Sequence, residues 1–316
     1  MKTTLWVTMP KMVEKSASKP LTLTIATMVY NVFPAMQETL ARLLVSTSGT
    51  YRFIFLDNGS AEPLERFLFE GLRPHWEARC DRPIYIRNKD NVGTVLGWQK
   101  IIEWCDSEIL MLIHNDVQIL QYGWDAEVLQ LFAHDPKLGL ASFFGCPGVM
   151  ANGGRGGVTP GRGDGWSNMS DAERHGVRIN EKRPIAVPDS FAMILRREML
   201  QKGGGLDLRF APDHVYDRAL GLQSLALGYH NMVLPVPCNH LSMRTRATPQ
   251  YEQWLSRTLG TPNDEKVCRG KDTLFHKIWG PCLPLYVNED FSFAKTDPLT
   301  GEPTGRDVLG YDWRAA

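Results

Sequence analysis

Three polar residues, His114, Asn115 and Asp116, directly follow an unbroken apolar run over residues 109–113. A short apolar run bounded by polar residues is typical of a strand buried on both faces, as in a parallel sheet. Ligands of open α/β sheets bind beyond the carboxyl ends of such strands. A carboxylate there, beside other oxygen or nitrogen donors, can hold a divalent metal. The simpler interpretation is an Asn-Asp turn, because both residue types favour turns.

A second carboxylate, Asp57, follows a strand-like run over residues 51–56. The residues after it, Asn58-Gly59-Ser60, predict a tight turn that would expose this side chain. A carboxylate in that place can accept hydrogen bonds from ribose hydroxyls or from a base N–H. A helix N-cap or an Asx turn explains the same residue equally well.

Asn91 and Gly93 precede a predicted helix over residues 94–105. A glycine at the start of a helix lets the backbone approach a ligand closely, and the helix N-terminus favours a negative group such as a diphosphate. The chain has neither a G-x-G-x-x-G after its first strand nor a G-x-x-x-x-G-K-[ST] loop. The common dinucleotide and P-loop sites are therefore disfavoured.

Two further candidates lie late in the chain. Asp217 falls in the first turn of a predicted helix, where the helix dipole keeps a carboxylate ionised. Asp is common at helix starts without any catalytic role, and Asp213 is a rival in the same segment. His240 follows another strand-like run; a lone histidine is most often structural, but this one could complete a metal site with Asp116.

The elements that must position these side chains alternate along the chain. Strand-like runs at 21–29, 51–56, 83–87 and 109–113 are separated by helical patterns at 35–47, 62–71 and 94–105. This alternation predicts an α/β fold with a mostly parallel sheet flanked by helices. Because each polar cluster follows a strand, all of them are expected along one edge of that sheet.

The glycine-rich residues 145–170 predict a long loop, which in a compact domain is either functional or disordered. Arg155 and Arg162 in this segment could contact an anionic substrate, although solvated loop charge is the simpler interpretation.

Composition narrows the class of protein. The formal net charge of the 316 residues is zero, which gives no overall attraction to nucleic acid or anionic lipid. Residues 241–280 carry seven Lys/Arg against four Asp/Glu, a weak basic patch with a net charge of +3. Six scattered cysteines without a C-x-x-C pair suit a reducing compartment. No signal-peptide core or membrane-spanning run is visible, so we expect a cytoplasmic protein.

The order of these stretches resembles a family-two glycosyltransferase of the GT-A fold over about residues 20–245. The matching segments, in chain order, are the strand that ends at Tyr30-Asn31, the turn Asp57-Asn58-Gly59-Ser60, the N-x-x-N-x-G segment from Asn88 to Gly93, the D-x-D region at Leu112-Ile113-His114-Asn115-Asp116, the stretch Gly204-Gly205-Leu206-Asp207 with Asp217 and Gly228-Tyr229, and His240. Two positions depart from the family pattern. His114 replaces the first acid of the D-x-D, and Tyr216 stands where the family usually has Glu.

The resemblance implies an inverting, metal-dependent hexosyltransferase that uses a nucleotide sugar, with a UDP-sugar favoured. It implies Asp217 as general base and Mn²⁺ or Mg²⁺ held by Asp116 and His240. The residues it implies for the nucleotide sugar are Tyr30, Asn31, Asp57, Asn91, Gly93 and Asn115.

Several alternatives remain open at this stage. The departures at His114 and Tyr216 make a catalytically inactive sugar-nucleotide or glycan-binding module a rival. A nucleotidyltransferase usually needs a glycine- and lysine-rich loop after the first strand, and residues 30–34 lack one. The acceptor could be a glycan, a lipid-linked sugar, a protein or a modified DNA base. The lack of a membrane segment lowers the lipid option, and the neutral charge lowers the DNA option.

The predicted organisation is an N-terminal arm over residues 1–19, a GT-A domain over 20–245 and a C-terminal extension over 246–316. The extension resembles nothing in the family. We consider three roles for it, which are acceptor binding, an oligomer contact or a packed tail.

Overall fold

The computed structural model describes residues 6–7, 23–31, 33–71, 80–159, 164–170, 176–241, 248–304 and 308–316. Its helices are α1 (Phe33–Ser46), α2 (Thr94–Trp104), α3 (Trp124–His134), α4 (Arg197–Gly203), α5 (Tyr216–Ala226), α6 (Pro249–Leu259) and α7 (Asp264–Trp279). Its strands are β1 (Trp6–Val7), β2 (Leu23–Val29), β3 (Tyr51–Asp57), β4 (Cys80–Arg87), β5 (Ile109–His114), β6 (Val117–Ile119), β7 (Leu138–Ser142), β8 (Phe144–Cys146), β9 (Gly148–Val149), β10 (Arg155–Gly156), β11 (Gly165–Ser167), β12 (Gly176–Arg178), β13 (Arg183–Ile185), β14 (Val187–Pro188), β15 (Ala192–Arg196), β16 (His230–Val233), β17 (Cys238–His240) and β18 (Leu285–Tyr286).

Within these ranges, nine strands form the central sheet, in the order β1-β4-β3-β2-β5-β15-β7-β16-β13. The strands β4, β3, β2 and β5 are parallel to one another, and β7 and β16 form a second parallel pair. Between these two groups, β15 runs antiparallel to both of its neighbours. The outer strands β1 and β13 are also antiparallel to the strands they join. The predicted mostly parallel α/β sheet is confirmed.

The middle of this sheet is β5, whose residues Ile109–Ile113 are 0–3% exposed. It pairs in parallel with β2 on one side and with the antiparallel β15 on the other. Each buried Ile, Leu or Met side chain contributes about 1.5–3 kcal/mol relative to an exposed one. Burial of the apolar run therefore fixes β5 in the interior, and His114, Asn115 and Asp116 emerge at its carboxyl end next to the carboxyl end of β2.

Helices α1 and α2 connect successive strands, as the alternating pattern predicts, and α3 continues the alternation between β6 and β7. In the stretch 62–71, where the pattern predicts a further helix, the structure has a short π-helix at Phe67–Gly71. In α2, one face is buried through Val95, Trp98 and Ile101, which follow the spacing of an amphipathic helix. None of the helices in the described ranges is both long enough and apolar enough to cross a lipid bilayer.

The glycine-rich segment 145–170 is not the long loop that its composition predicts. Where it is described, it contributes strands to two small sheets, one of β10-β9-β18 and one of β12-β11-β8-β14. Each of these strands is two or three residues long, too short for a hydrophobic period to appear in the sequence. Arg155 is described and begins β10, whereas Arg162 lies outside the described residues.

The C-terminal extension packs into the same hydrophobic core as the central sheet. Phe275, Ile278 and Trp279 of α7 are fully buried in that core, together with Trp313 near the end of the chain. The indole rings of Trp279 and Trp313 stack with centroids 5.7 Å apart. The boundary predicted at residue 245 lies outside the described residues, and the division into three parts stays a prediction.

Candidate active site

The carboxyl ends of β2 and β5 open into a cavity of about 410 Å³. Its wall includes these residues that the sequence predicts for the site: Tyr30, Asn91, Gly93, Asn115, Asp116, Asp217 and His240. Two other predicted residues, Asn31 and Asp57, are not part of the wall. The fold thus gathers most of the predicted site in one place, while the role of each residue stays a prediction.

A cluster of two imidazoles and one carboxylate lies on this wall. One ligand atom from each of His114, Asp116 and His240 lies within 4.8 Å of the others. His114 ends β5 and Asp116 lies in the turn before β6, which pairs with β17 so that His240 lies opposite Val117. The backbone N–H of Leu241 also donates to the Asp116 carbonyl at 2.9 Å. Strand pairing therefore brings together side chains that are far apart in the chain and that could hold a metal ion.

The imidazole of His114 is the member that the sequence does not identify as a ligand. Its spacing from Asp116, two residues further along a chain that is leaving a strand, is the signal that points to it. Aromatic rings orient both imidazoles: Trp98 stacks on His114 at 6.3 Å between centroids, and Phe191 stacks on His240 at 4.7 Å.

The carboxyl group of Asp116 is held in its ionised form within this cluster. Burial is the largest single effect on Asp116 and raises its pKa, but the hydrogen bond from His240 and the charges of His114 and His240 bring the net pKa below the usual value. The Asp116 Oδ1 and His240 Nε2 atoms are 3.4 Å apart. Ligands that share one ion at about 2.1 Å lie at most about 4.2 Å apart, so small side-chain rotations would let the cluster fit a divalent metal.

Asp217 reaches the cavity from the first turn of α5. The turn before the helix is strained, because His214 and Val215 have φ values of 74° and 64°. Left-handed φ is unfavourable for a β-branched residue such as Val, and strain of this kind concentrates at functional sites. The rival carboxylate, Asp213, lines the same cavity and accepts a hydrogen bond from the His214 backbone N–H at 2.8 Å.

Both oxygens of Asp217 have partners. Its Oδ1 accepts the backbone N–H of Arg218 at 2.8 Å, and its Oδ2 lies 2.6 Å from an Arg155 guanidinium nitrogen. The same nitrogen of Arg155 lies 3.1 Å from Asp189 Oδ2. Asp189 was not identified from the sequence, because nothing around Pro188 distinguishes it from an ordinary turn residue.

This Asp189–Arg155–Asp217 arrangement shifts the ionisation of its members. Burial raises the pKa of Asp189, but the Arg155 charge, with smaller contributions from His240 and His114, brings the net pKa below the usual range. Burial lowers the pKa of Arg155, but the charges of Asp189 and Asp217 raise it overall. Asp189 and Arg155 therefore stay charged at neutral pH.

Tyr216 stands at the position where the family usually has Glu, and its side chain has a different chemical character there. Its hydroxyl accepts a hydrogen bond from the Trp98 indole N–H at 3.2 Å. Burial, together with the charges of Asp213 and Asp217, raises the pKa of Tyr216 well above its usual value. The side chain is therefore a neutral hydrogen-bonding group at the cavity wall and does not supply a second carboxylate.

Asp57 lies beside the cavity as part of a buried turn. Its side chain is 0% exposed, with Oδ1 accepting the Ser60 N–H at 2.8 Å and Oδ2 accepting the Tyr85 hydroxyl at 2.8 Å. Arg87 lies 3.2 Å from Oδ2. Asn31 is tied to the same turn, because its backbone N–H donates to Ser60 Oγ at 3.0 Å. These hydrogen bonds show that both residues stabilise the turn. Direct contact of either residue with a nucleotide stays a prediction.

Asn91 and Gly93 form the neighbouring part of the wall. The Asn91 side-chain oxygen accepts hydrogen bonds from the Asn58 amide at 2.9 Å and from the Gly93 N–H at 2.8 Å. At Gly93, with φ of 86°, an added Cβ would lie 2.5 Å from Pro212 Cβ. The close approach that requires glycine here is therefore to Pro212, whose carbonyl also accepts the Val95 N–H at 3.0 Å.

The C-terminal extension contributes wall residues that the sequence does not predict. Tyr251 and Trp254 of α6 line the cavity, and the Trp254 indole N–H donates to the Asn91 carbonyl at 2.8 Å. The Tyr251 hydroxyl and the His214 imidazole both bond to Asp264 at the start of α7, at 2.9 Å and 2.8 Å. The extension thus covers one side of the cavity.

Comparison with solved structures finds several that are similar to this chain. GalNAc-T7 with UDP, GalNAc and Mn²⁺ aligns with a TM-score of 0.51 and 11% identity, over 81% of this chain and 54% of that one. The mannosyltransferase PcManGT from Pyrobaculum calidifontis, in complex with GDP-Man and Mn²⁺, gives a TM-score of 0.49 and 13% identity over 83% and 70%. TarS from S. aureus, residues 1–349, gives 0.45 and 13% over 68% and 58%. This chain therefore spans about half the length of the GalNAc-T7 chain.

The likeness to GalNAc-T7 supports the GT-A fold that the sequence motifs imply. No curated protein matches the chain in sequence. The family model described as glycosyl transferase family 2 matches residues 24–204, which is more than half of the chain and runs from β2 to the end of α4 with the His114–Asp116 turn inside it. The chain is a glycosyltransferase that belongs to glycosyl transferase family 2 and has the GT-A fold.

Proposed function

We propose that this glycosyltransferase transfers a sugar from a nucleotide sugar to an acceptor hydroxyl in a metal-dependent reaction that inverts the anomeric carbon. The observation that carries the proposal is a single cavity that joins the cluster of His114, Asp116 and His240 to the carboxylate of Asp217. The three-residue cluster is suited to hold a cation that also binds the diphosphate. The Asp217 carboxylate is suited to accept a proton.

The donor is assigned to the side of the cavity formed by the ends of β2, β3 and β4. Tyr30, Asn91 and Gly93 lie on that wall, and Asn115 at the end of β5 is bonded to it through the Met28 carbonyl of β2 at 2.9 Å. All four residues would contact the base and ribose. Asp57 and Asn31 support this side through the turn they share with Ser60. A uridine diphosphate sugar is the donor we favour, and the UDP bound in the GalNAc-T7 structure supports this choice.

His114, Asp116 and His240 would hold the divalent cation. When bound, the cation supplies positive charge that stabilises the leaving diphosphate, worth several kcal/mol of barrier. Two imidazoles and one carboxylate suit Mn²⁺ better than Mg²⁺, because Mg²⁺ prefers oxygen ligands and keeps several waters. Mn²⁺ is accordingly proposed ahead of Mg²⁺, and the Mn²⁺ bound in GalNAc-T7 supports this order.

Asp217 is assigned as the general base. It takes the proton from the acceptor hydroxyl as that oxygen attacks the anomeric carbon, a contribution of about 10²–10⁴-fold to the rate. One carboxylate base with direct displacement gives inversion, by analogy with the carboxylate chemistry of glycosidases. The acceptor is assigned to the hydroxyl of a glycan or of a protein side chain.

A donor screen tests the proposal. Thermal shifts with UDP-, GDP- and dTDP-sugars, with and without Mn²⁺, identify the donor because a ligand that binds the folded state stabilises it. The Asp217→Asn variant should bind that donor normally and lose about 10²–10⁴-fold in turnover, whereas Asp213→Asn should retain turnover.

Two outcomes would contradict the proposal. Near-wild-type turnover in Asp217→Asn with a loss in Asp213→Asn would move the base to Asp213. Donor binding without any turnover in the wild-type protein would favour the alternative of a catalytically inactive binding module.

A further inference from the structure

The segment that carries Arg155 is a short hairpin in which β10 folds back on β9. Within it, the Met150 N–H donates to the Gly154 carbonyl at 2.8 Å and the Gly153 N–H donates to the Met150 carbonyl at 2.9 Å. These two hydrogen bonds close the turn between β9 and β10, but they do not connect the hairpin to the central sheet. The contacts that hold the hairpin against the rest of the molecule come from other parts of the chain.

The C-terminal extension provides three of these contacts. Strand β18 pairs with β9, placing Leu285 opposite Val149. The His276 imidazole of α7 bonds to the Ala151 carbonyl at 3.0 Å. A Cβ added at Gly156 would lie 2.6 Å from the Tyr286 hydroxyl oxygen, so the Tyr286 side chain of β18 extends across β9 to β10.

A fourth contact links the hairpin, the extension and the helix of the proposed base. Arg218, the residue after Asp217 in α5, donates to the Gly153 carbonyl at 2.6 Å. The same guanidinium is ion-paired with Asp272 of α7 and lies over the Phe275 ring, 5.2 Å from its centroid. The hairpin is therefore held between α5 and the extension.

Arg155 projects from this hairpin to the proposed base. One of its nitrogens lies 2.6 Å from Asp217 Oδ2 and 3.1 Å from Asp189 Oδ2. Because that nitrogen is shared, Arg155 keeps a carboxylate partner when Asp217 becomes protonated. An unpaired charge in a largely buried place is destabilising, and the Asp189 carboxylate removes that penalty.

We propose that the C-terminal extension positions the catalytic carboxylate, by holding the hairpin of residues 148–156 through α7 and β18 so that Arg155 orients Asp217 toward the acceptor hydroxyl. This inference rests on the proposed function, since it takes Asp217 as the base. In the transfer step, the acceptor O–H bond breaks and its proton moves to Asp217, while the acceptor oxygen forms a bond to the anomeric carbon. The bond from that carbon to the diphosphate breaks, and its electron pair leaves with the diphosphate. Arg155 stays charged throughout, paired with Asp189.

The first experiment compares Arg155→Met and Arg155→Lys with the wild-type protein, using the donor found in the screen and saturating Mn²⁺. Misplacement of a catalytic group by about 1 Å can cost about 10²-fold, so kcat of Arg155→Met should fall by about that factor. Arg155→Lys keeps the charge but loses the planar fork, and it should recover about tenfold of the loss. The donor KM should change less than about threefold in both variants, because an interaction felt in the transition state alters kcat and not ground-state binding.

The second experiment tests the extension with a matched pair of glycine substitutions. Gly156→Ala places a methyl group against Tyr286 and should lower kcat by about tenfold through a shifted Arg155. Gly270→Ala adds the same methyl group to α7, where nothing lies within 4 Å, and should match the wild-type kcat. Thermal shift with donor and Mn²⁺ is measured on every variant, so that folding and donor binding are followed separately from turnover.

The possible results distinguish failure of this inference from failure of the proposed function. A wild-type protein that transfers no sugar would overturn the proposed function, and the inference with it. If the wild type is active, turnover of Arg155→Met within about threefold of wild type would overturn the inference alone. A loss of donor affinity equal to the loss of kcat would also overturn it, because Arg155 would then act on the donor.

Discussion

The polar residues on two sides of the cavity are bonded in different ways. The nucleotide side consists of the turns after β2, β3 and β4, and the transfer side consists of the cluster of His114, Asp116 and His240 together with Arg155, Asp189 and Asp217. On the nucleotide side, the carboxylate of Asp57 is fully buried and bonds to Tyr85 and to a backbone N–H in its own turn. On the transfer side, the carboxylate of Asp217 opens onto the cavity and pairs with Arg155, 62 residues away in the chain. The first arrangement stabilises a local fold, and the second holds together the charges that we propose to act in the transfer reaction.

Because of this difference, we expect substitutions on the two sides of the cavity to change different quantities, the free energy of unfolding on one side and kcat on the other. Substitutions on the nucleotide side should lower the free energy of unfolding and leave kcat almost unchanged. Substitutions on the transfer side should lower kcat or metal affinity with a smaller effect on folding. Strained backbone at His214 and Val215, just before Asp217, agrees with a region that is arranged for chemistry and stabilised by its surroundings.

The largest effect is expected for Asp116→Asn. The substitution removes the charged ligand of the cluster, and the charge stabilisation that a bound metal provides is worth several kcal/mol. Turnover with Mn²⁺ should therefore fall by more than about 10³-fold, measured as nucleotide released from the donor. Asp312→Asn, at an exposed carboxylate near the C-terminus, is the matched control and should behave as wild type. Activity retained in Asp116→Asn would place the metal, or the need for one, elsewhere.

A smaller effect, on metal affinity, is expected for His114→Ala. This variant tests the proposed metal ligand that the sequence pattern did not identify. The apparent Mn²⁺ dissociation constant, measured by the loss of the free-ion signal in electron paramagnetic resonance, should rise by about 10²-fold. His134→Ala removes an exposed imidazole and should leave that constant unchanged. If both variants bind Mn²⁺ like the wild type, His114 is not a ligand and only Asp116 and His240 remain.

The sequence locates the turns on the nucleotide side for a physical reason, although Asp57 in one of them does not line the cavity. Asp57, Asn91 and Gly93 each follow a strand closely, so the local order of strand and turn is enough to find them. The fully buried β5 is likewise visible as an apolar run. The family model ends at residue 204, so it includes these elements but neither Asp217 nor His240.

The transfer side depends on pairings between distant segments that no local pattern contains. Arg155 and Asp217 are 62 residues apart, and the hairpin that carries Arg155 forms through two-residue strands that pair with each other and with the extension. Asp189 becomes notable only when Arg155 is beside it. His114 looked like a departure from the D-x-D pattern because the pattern describes an acidic position, whereas the structure places its imidazole beside that of His240.

The pH dependence of stability tests the charged arrangement on the transfer side. The pKa of Asp189 is below its usual value mainly through the Arg155 charge, which opposes the effect of burial. Its contribution to the free energy of unfolding is therefore fully present above the unfolded-state pKa of about 3.9 and is lost as the pH falls through the lower folded-state pKa. Asp189→Asn should be less stable than wild type by about 1–3 kcal/mol at pH 7.

That difference should persist to about pH 5 and shrink as the pH falls below about 4, as followed by urea unfolding at several pH values. A difference that stays constant down to about pH 2 would show that packing, and not the ion pair with Arg155, accounts for the loss of stability.

The smallest effect is expected for Tyr85→Phe on the nucleotide side. This variant is also the sharpest test of the difference between the two sides of the cavity. The hydroxyl donates to Asp57 Oδ2 at 2.8 Å and accepts the Leu64 N–H at 3.1 Å, and its removal leaves a buried donor and acceptor short of one bond each. The free energy of unfolding should fall by about 1–2 kcal/mol, whereas kcat should stay within about twofold of wild type, since Asp57 keeps Ser60 and Arg87 as partners. Tyr122→Phe removes a hydroxyl from a side chain on a residue that is 67% exposed and should change neither quantity. If Tyr85→Phe lowers kcat and leaves stability intact, the turn at Asp57 takes part in the reaction itself, and the two sides of the cavity are not separable.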